Sequence, residues 1–272
     1  MQAHRVTGGN GVQLYVEETG NPHGRPILFI HGFSQCRLAW RKQMTSDLAQ
    51  DFRLVAMDIR GHGLSEKPYD AYEEAQHWAD DVEAVIMELD LQPPVLSGWS
   101  YGGIIICDYL QAYGEDSIAG IHLVGAVTRL GSEAAMAVIG SDFRALVPGF
   151  FSYDVEESVS TLQKFLRLCV HAEPTPEDAA FFLGYNVIVP PHVRQGLFSR
   201  TRSHDQLLPR LRKPVLITHG QEDRIVLPSA AEQHAAAITH AQLSLYPQVG
   251  HAPFWEAPDR FNRELRAFVE AL

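Results

Sequence analysis

Ser97-Gly98-Trp99-Ser100-Tyr101-Gly102-Gly103 is the stretch on which the reading of this chain turns. Pro94-Val95-Leu96 before it reads as the body of a buried strand. After it, Gly102 to Tyr113 reads as a helix that is apolar nearly all round and therefore buried. A serine placed where a strand turns straight into a helix must take a strained backbone turn that lifts its hydroxyl clear of the sheet. Only small residues two before and two after it, Gly98 and Gly102, let strand and helix approach that closely. The new helix then points its free N–H groups toward the serine. Gly-x-Ser-x-Gly is a weak pattern alone; at a strand-to-helix junction it marks a nucleophile.

Working outward, the first half repeats strand, Gly-containing turn and helix. Strands are expected over Pro26–Ile30, Phe52–Met57 and Ile118–Val127, with helices over Arg37–Gln50 and Tyr72–Leu91. The alternation then lapses until Pro214–Thr218, and closes with a strand over Gln242–Tyr246 and a helix over Pro258–Leu272. The gap reads as helical: Ser132–Leu146, Asp154–Val170, Thr175–Tyr185 (Thr175 as N-cap, Pro176 at the first helical position) and Pro191–Phe198. The expected fold is α/β, a mostly parallel doubly wound sheet carrying an inserted helical cap. Its core would be residues 1–127 and 206–272, and its cap 128–205.

At 272 residues the chain suits one core with an insertion, and its formal charge of −11 makes it a poor partner for nucleic-acid phosphates. Hydrophobic residues at 46% and charged ones at 20% exclude wholesale disorder. Cys36, Cys107 and Cys169 are odd in number and widely spaced, so they suit neither a disulfide framework nor a thiolate metal site. The start of the chain lacks a signal peptide's apolar core, and no apolar run reaches the ~18 residues of a membrane span. A cytoplasmic location with no membrane partner is the default expectation. Isolated histidines such as His77, His171, His192 and His240 read as surface or packing residues.

A serine hydroxyl attacks only when a base takes its proton and an acceptor orients that base. Downstream, the strand Pro214–Thr218 leads into His219-Gly220-Gln221-Glu222-Asp223, and the last strand leads into Gly250-His251-Ala252-Pro253. Both stretches fall at strand C-terminal ends, where functional groups of an open α/β sheet converge. Asp223 and His251 are the expected acid and base, with Glu222 as the competing acid. The order Ser100, Asp223, His251 is nucleophile, acid, base. The developing oxyanion needs two N–H donors, assigned to the backbone amides of Phe33, in His31-Gly32-Phe33 after the first buried strand, and of Tyr101.

With these motifs in this order, together with Asp58-Ile59-Arg60-Gly61-His62-Gly63-Leu64-Ser65, the chain resembles an α/β-hydrolase of the capped kind over nearly its whole length. That group includes small esterases, cofactor-free haloperoxidase-like perhydrolases, lactonases and carbon–carbon bond hydrolases. The resemblance implies that Asp58, Arg60 and His62 form a polar scaffold beneath the site, and that His31, Gly32, Gly98 and Gly102 support it. Ser100 stands where haloalkane dehalogenases and epoxide hydrolases carry Asp, which disfavours both. The expected activity is hydrolysis of small to medium uncharged carboxylic esters or lactones through an acyl-enzyme. Perhydrolysis and carbon–carbon cleavage by the same triad are the alternatives, and a hydrolase-derived ligand receptor is a distant one. No metal or organic cofactor is implied. Trp99, Phe143, Phe150, Phe181, Tyr185 and Ile225 are the expected pocket-lining residues, and Arg144, Arg194 or Arg200 could face inward.

Overall fold

In the computed structural model, which describes residues 1–272, eight strands share one sheet: β1 (Gln2–Thr7), β2 (Gln13–Gly20), β3 (Pro26–Ile30), β4 (Arg53–Asp58), β5 (Val95–Trp99), β6 (Gly120–Val124), β7 (Val215–Gly220) and β8 (Gln242–Tyr246). Their order is β1-β2-β4-β3-β5-β6-β7-β8. The pairs β1–β2 and β2–β4 are antiparallel and every other pair is parallel. All residues of β3, β5, β6 and β7 are buried, as expected of strands covered on both faces. Because these strands run the same way, the residues after Ile30, Trp99, Gly220 and Tyr246 all emerge at one sheet edge.

The helices that matter for the site are α1 (Ala75–Glu88) and α2 (Tyr101–Tyr113). Between β6 and β7 lie α3 (Glu133–Met136), α4 (Ser141–Phe150), α5 (Val155–Leu168), α6 (Pro176–Asn186) and α7 (Pro191–Ser199). Thr175 caps α6 as expected, its Oγ1 accepting from the Asp178 amide at 3.1 Å, with Pro176 in the first turn. The N-terminal hairpin β1–β2 was not legible in the sequence. β1 is an exposed edge strand and β2 beside it is only part-buried, so the apolar signal shrinks to Val6, Leu14 and Val16. The continuous helix expected over 37–50 is three short turns, Arg37–Trp40, Arg41–Met44 and Leu48–Asp51. The gap after Met44 falls where Thr45 Oγ1 and Ser46 Oγ donate to the carbonyls of Arg41 and Gln43, offering the backbone an alternative to continued helix. The helix expected over 132–146 is also two pieces, parted where the Gly140 amide donates to Ile225 O at 3.0 Å.

Several buried polar groups act as rivets. His31 Nε2 accepts from the Ile59 amide at 3.1 Å, so its proton must sit on Nδ1, which donates to Gly32 O at 2.9 Å. His62 likewise accepts from the Ser34 amide at 3.1 Å and donates from Nδ1 to Arg60 O at 2.9 Å. Both rings are thus neutral cross-links between the loop after β3 and the loop after β4. His122 bridges Ser97 of β5 and Thr218 of β7, and His234 reaches Thr128. Arg60 is held by Asp81 on α1 and by the carbonyls of Gly9, Ala71 and His77. The scaffold reading of Asp58, Arg60 and His62 rests on such contacts, Asp58 receiving the Arg37 and Leu64 amides.

Burial holds His31 and His122 down to about 3, His234 down to about 4, and His62 well below the ordinary histidine value. Below about pH 6.5 the unfolded chain therefore binds protons that the folded protein refuses, so stability is full above that value and falls as pH drops. Each such ring contributes roughly 1.4 kcal/mol per pH unit. His219, displaced the opposite way beside Asp223, adds no slope below that value, and its own contribution declines only as pH rises above it. Urea midpoints should fall steadily from pH 7 to pH 4.5 at constant m-value; a flat profile would contradict the neutral assignment.

Candidate active site

Ser100 stands between β5 and α2 with φ 55° and ψ −115°, a left-handed conformation that a non-glycine residue takes only under constraint. Three backbone hydrogen bonds supply it. The Ser100 amide donates to Val124 O of β6 at 2.9 Å, and its carbonyl accepts from Gly103 at 3.0 Å and Val127 at 3.1 Å. The flanking glycines are required by space. A Cβ on Gly98 would lie 2.7 Å from the Gly102 backbone, and one on Gly102 would lie 2.4 Å from Ile30 O. Tyr101 opens α2, so its amide has no intrahelical acceptor, and Gly32 packs against the Ser100 side chain from the neighbouring strand end. The two assigned oxyanion donors, Phe33 and Tyr101, therefore belong to segments that meet at Ser100.

His251 follows β8, and its Nδ1 donates to Asp223 Oδ2 at 2.7 Å. Asp223 is buried, whereas the competing Glu222 is exposed, so the carboxylate that reaches His251 is that of Asp223. The other oxygen, Oδ1, accepts the Ile225 amide at 2.8 Å and the Val226 amide at 3.0 Å. A second ring converges on Oδ2: His219 Nε2 lies 3.1 Å from it while donating to Val226 O at 2.8 Å. Burial alone would raise the Asp223 carboxyl, but the neighbouring His251 and His219 rings outweigh it and hold the carboxyl below its usual range. Asp223 is thereby held as a fixed anion. Sequence reading passed over His219, and its position four residues before Asp223 was the available signal. The Trp99 indole donates to His251 O at 2.8 Å, which ties His251 to the strand that leads into Ser100.

Ser100 opens onto a cavity of about 150 Å³ whose walls include Phe33, Tyr101, Val127, Phe143, Leu197, Phe198 and Ile225. Of 18 lining residues, 13 are hydrophobic, so the cavity selects apolar groups. A smaller cavity of about 20 Å³ is shared by Ser100 and His251, with Trp99, Phe143 and Ile225 among its walls. Trp99, Phe143 and Ile225 thus line space beside Ser100, as the sequence suggested. Three other expectations are corrected. Phe150 is buried in an aromatic cluster with Phe33 and Phe165, with ring centroids at 5.1 and 5.3 Å. Phe181 packs on Trp255, and Tyr185 borders a separate cavity beyond Trp99. Helix periodicity marks these rings as inward-facing, but only packing decides which ones reach the void.

Of the three arginines that could face inward, Arg144 and Arg200 line the larger cavity, and Arg129, which the sequence did not single out, joins them. Arg194 instead donates to Ser34 Oγ at 3.0 Å and to Asn186 O at 2.8 Å. Arg200 pairs with Asp108 on α2 and donates to the Tyr101 hydroxyl at 3.0 Å, fastening the segment after α7 to the nucleophile's helix. No cluster of three or more His, Cys, Asp and Glu side chains could hold a metal ion, and no helix is long and apolar enough to cross a membrane.

Residues 25–258 match the sequence profile of the α/β-hydrolase fold family. The chain belongs to the α/β-hydrolase family. An esterase of a Rhodococcus species superimposes with a TM-score of 0.94 at 38% identity, each chain covered completely. A bifunctional esterase/perhydrolase of Acinetobacter calcoaceticus is 29% identical over 288 residues, covering 98% of this chain and 99% of that protein. A non-heme haloperoxidase of Rhodococcus erythropolis is 27% identical over 287 residues, covering 98% and 99%. As an α/β-hydrolase, the chain is a hydrolytic enzyme, as its motifs lead one to expect.

The elbow generates a stability prediction. In this hydrolase Gly102→Ala forces a Cβ against the Ile30 carbonyl, and should cost roughly 1–3 kcal/mol of unfolding free energy. Gly184→Ala, a helical site with nothing within 4 Å, is the control and should be neutral or stabilising in the same urea titration.

Proposed function

We propose that this hydrolase cleaves small to medium uncharged carboxylic esters or lactones through an acyl-enzyme on Ser100. The observation that carries the reading is the commitment of His251 Nδ1 to Asp223 while the ring lines the same small cavity as Ser100. That commitment leaves Nε2 as the only ring nitrogen free to act as base. Ser100 Oγ attacks the ester carbonyl as His251 takes its proton, and the oxyanion rests on the Phe33 and Tyr101 amides. The imidazolium returns that proton to the leaving alcohol. Water then repeats the sequence on the acyl-enzyme.

The substrate class follows from the cavity. Its volume of about 150 Å³ is of the order that holds a benzene-sized group. Residues 128–205 act as the cap, since Phe143, Leu197 and Phe198 from this segment share the walls of the cavity with Ser100. Perhydrolysis is the second reading, and it draws on the similarity to the Acinetobacter esterase/perhydrolase. The same acyl-enzyme would accept peroxide in place of water. A small-molecule substrate handled without membrane or nucleic-acid partners is consistent with a cytoplasmic enzyme.

Hydrolysis of p-nitrophenyl esters from acetate to decanoate should peak at short acyl chains and be blocked by a serine-reactive phosphonate. Ser100→Ala should lower kcat by at least ~10³-fold. Asp223→Asn should lower it by roughly 10³–10⁴-fold, and Glu222→Gln should leave it within about twofold. Full activity in Ser100→Ala, or a loss in Glu222→Gln matching that in Asp223→Asn, would overturn the assignment.

A further inference from the structure

The small cavity shared by Ser100 and His251 has one further polar wall, Gln35. Its volume of about 20 Å³ is enough for a single water molecule. Gln35 is 2% exposed, and its Nε2 has no partner in the protein. Of the buried polar side-chain atoms without a partner, this is the only one whose residue lines the cavity of the nucleophile and the base. The orientation of the amide is set from behind. Asn186 Nδ2 must donate to Phe182 O, at 3.0 Å, and the same nitrogen lies 3.4 Å from Gln35 Oε1. The Gln35 oxygen is therefore the end that faces Asn186, which leaves the NH2 for the void. Gln35 also borders a cavity of about 10 Å³, at the lower limit for a water and walled otherwise by apolar and aromatic groups. Trp99 offers the shared cavity nothing, because its indole N–H is spent on His251 O.

We propose that this small cavity is the binding site of the acyl acceptor, water, and that Gln35 Nε2 holds it for attack. The proposal rests on the acyl-enzyme reading above. A water there accepts one hydrogen bond from Gln35 and donates one to His251 Nε2, which leaves its second lone pair free. That pair forms the new C–O bond to the acyl carbon as the carbonyl π pair moves onto oxygen, and the water's proton passes to His251. Collapse of the tetrahedral intermediate breaks the bond to Ser100 Oγ, which takes the proton from His251, and the carboxylic acid departs. By microscopic reversibility the oxygen of a leaving alkyl alcohol passes through the same point. A p-nitrophenolate needs no such help, because it leaves unprotonated. With that leaving group, Gln35 acts in the second half of the reaction alone.

The test separates the halves with p-nitrophenyl dimethylcarbamate, whose carbamoyl-enzyme turns over slowly enough for each to be timed. Release of p-nitrophenol reports carbamoylation, and recovery of esterase activity after gel filtration reports decarbamoylation. In Gln35→Met, which keeps the bulk and removes the donor, decarbamoylation should slow at least tenfold while carbamoylation stays within threefold of the parent. Gln35→Ala should show the same split and serves if the methionine variant does not fold. Equal losses in both halves would make Gln35 a packing residue, and an unchanged decarbamoylation rate would place the water elsewhere; either overturns the proposal. A parent enzyme that resists carbamoylation, or a Ser100→Ala variant that is carbamoylated just as fast, would instead bring down the acyl-enzyme reading on which the proposal stands.

Discussion

The turn at Ser100 is the constraint on which the rest of the molecule depends. A serine held at φ 55° costs on the order of 1–3 kcal/mol, and it persists only where its surroundings over-determine it. Here β6 does so from one side, through Val124 O, and the segment after β6 from the other, through the Val127 amide. The elbow therefore cannot relax without breaking the sheet. That rigidity holds Ser100 against the segments that carry the Phe33 and Tyr101 amides, the donors the proposed mechanism uses, and backbone donors need no reorganisation when charge develops.

The histidines show how burial sorts one side chain into different tasks. His31, His62 and His122 are buried, hydrogen-bonded at both ring nitrogens and held neutral, so they serve as rivets between strand ends. His251 differs because one nitrogen faces a carboxylate and the ring borders a cavity. His219 stands between these cases, sharing Asp223 Oδ2 with His251 but spending its proton on Val226 O as well. With two backbone amides on Oδ1 and two rings at Oδ2, the Asp223 carboxylate is fixed in position and kept ionised. A fixed anion is what an orienting acid requires, since it must stabilise an imidazolium without taking its proton.

The segment over the site is tied down by buried charge as well as by aromatic packing. Phe33 meets Phe143, Phe150, Phe165 and Phe198 edge-on, so the loop carrying an assigned oxyanion donor is also where the helices between β6 and β7 seat. Arg200 and Asp108 add a pair with no solvent exposure. Such a pair is a weak source of net stability but a strong source of register, because breaking it strands a buried charge. The cavity over Ser100 inherits its shape from these anchors.

The sequence by itself determined the parallel core, the elbow and the order Ser100, Asp223, His251, because each is written locally: buried strands as apolar runs, the elbow as glycines at a fixed spacing, the acid and base just after strand ends. It left the N-terminal hairpin hidden, since part-exposed strands carry little apolar signal, and it drew one helix over 37–50 where the chain makes three short turns, interrupted after Met44 by the hydroxyls of Thr45 and Ser46. Only the tertiary structure chose Asp223 over Glu222 as the partner of His251, revealed His219 and Gln35 beside these groups, and sorted Phe143 and Ile225 from Phe150, Phe181 and Tyr185. The physical reason is the same in each case. Periodicity says which side of an element is buried, whereas a hydrogen bond or a cavity wall depends on what a distant part of the chain brings to meet it.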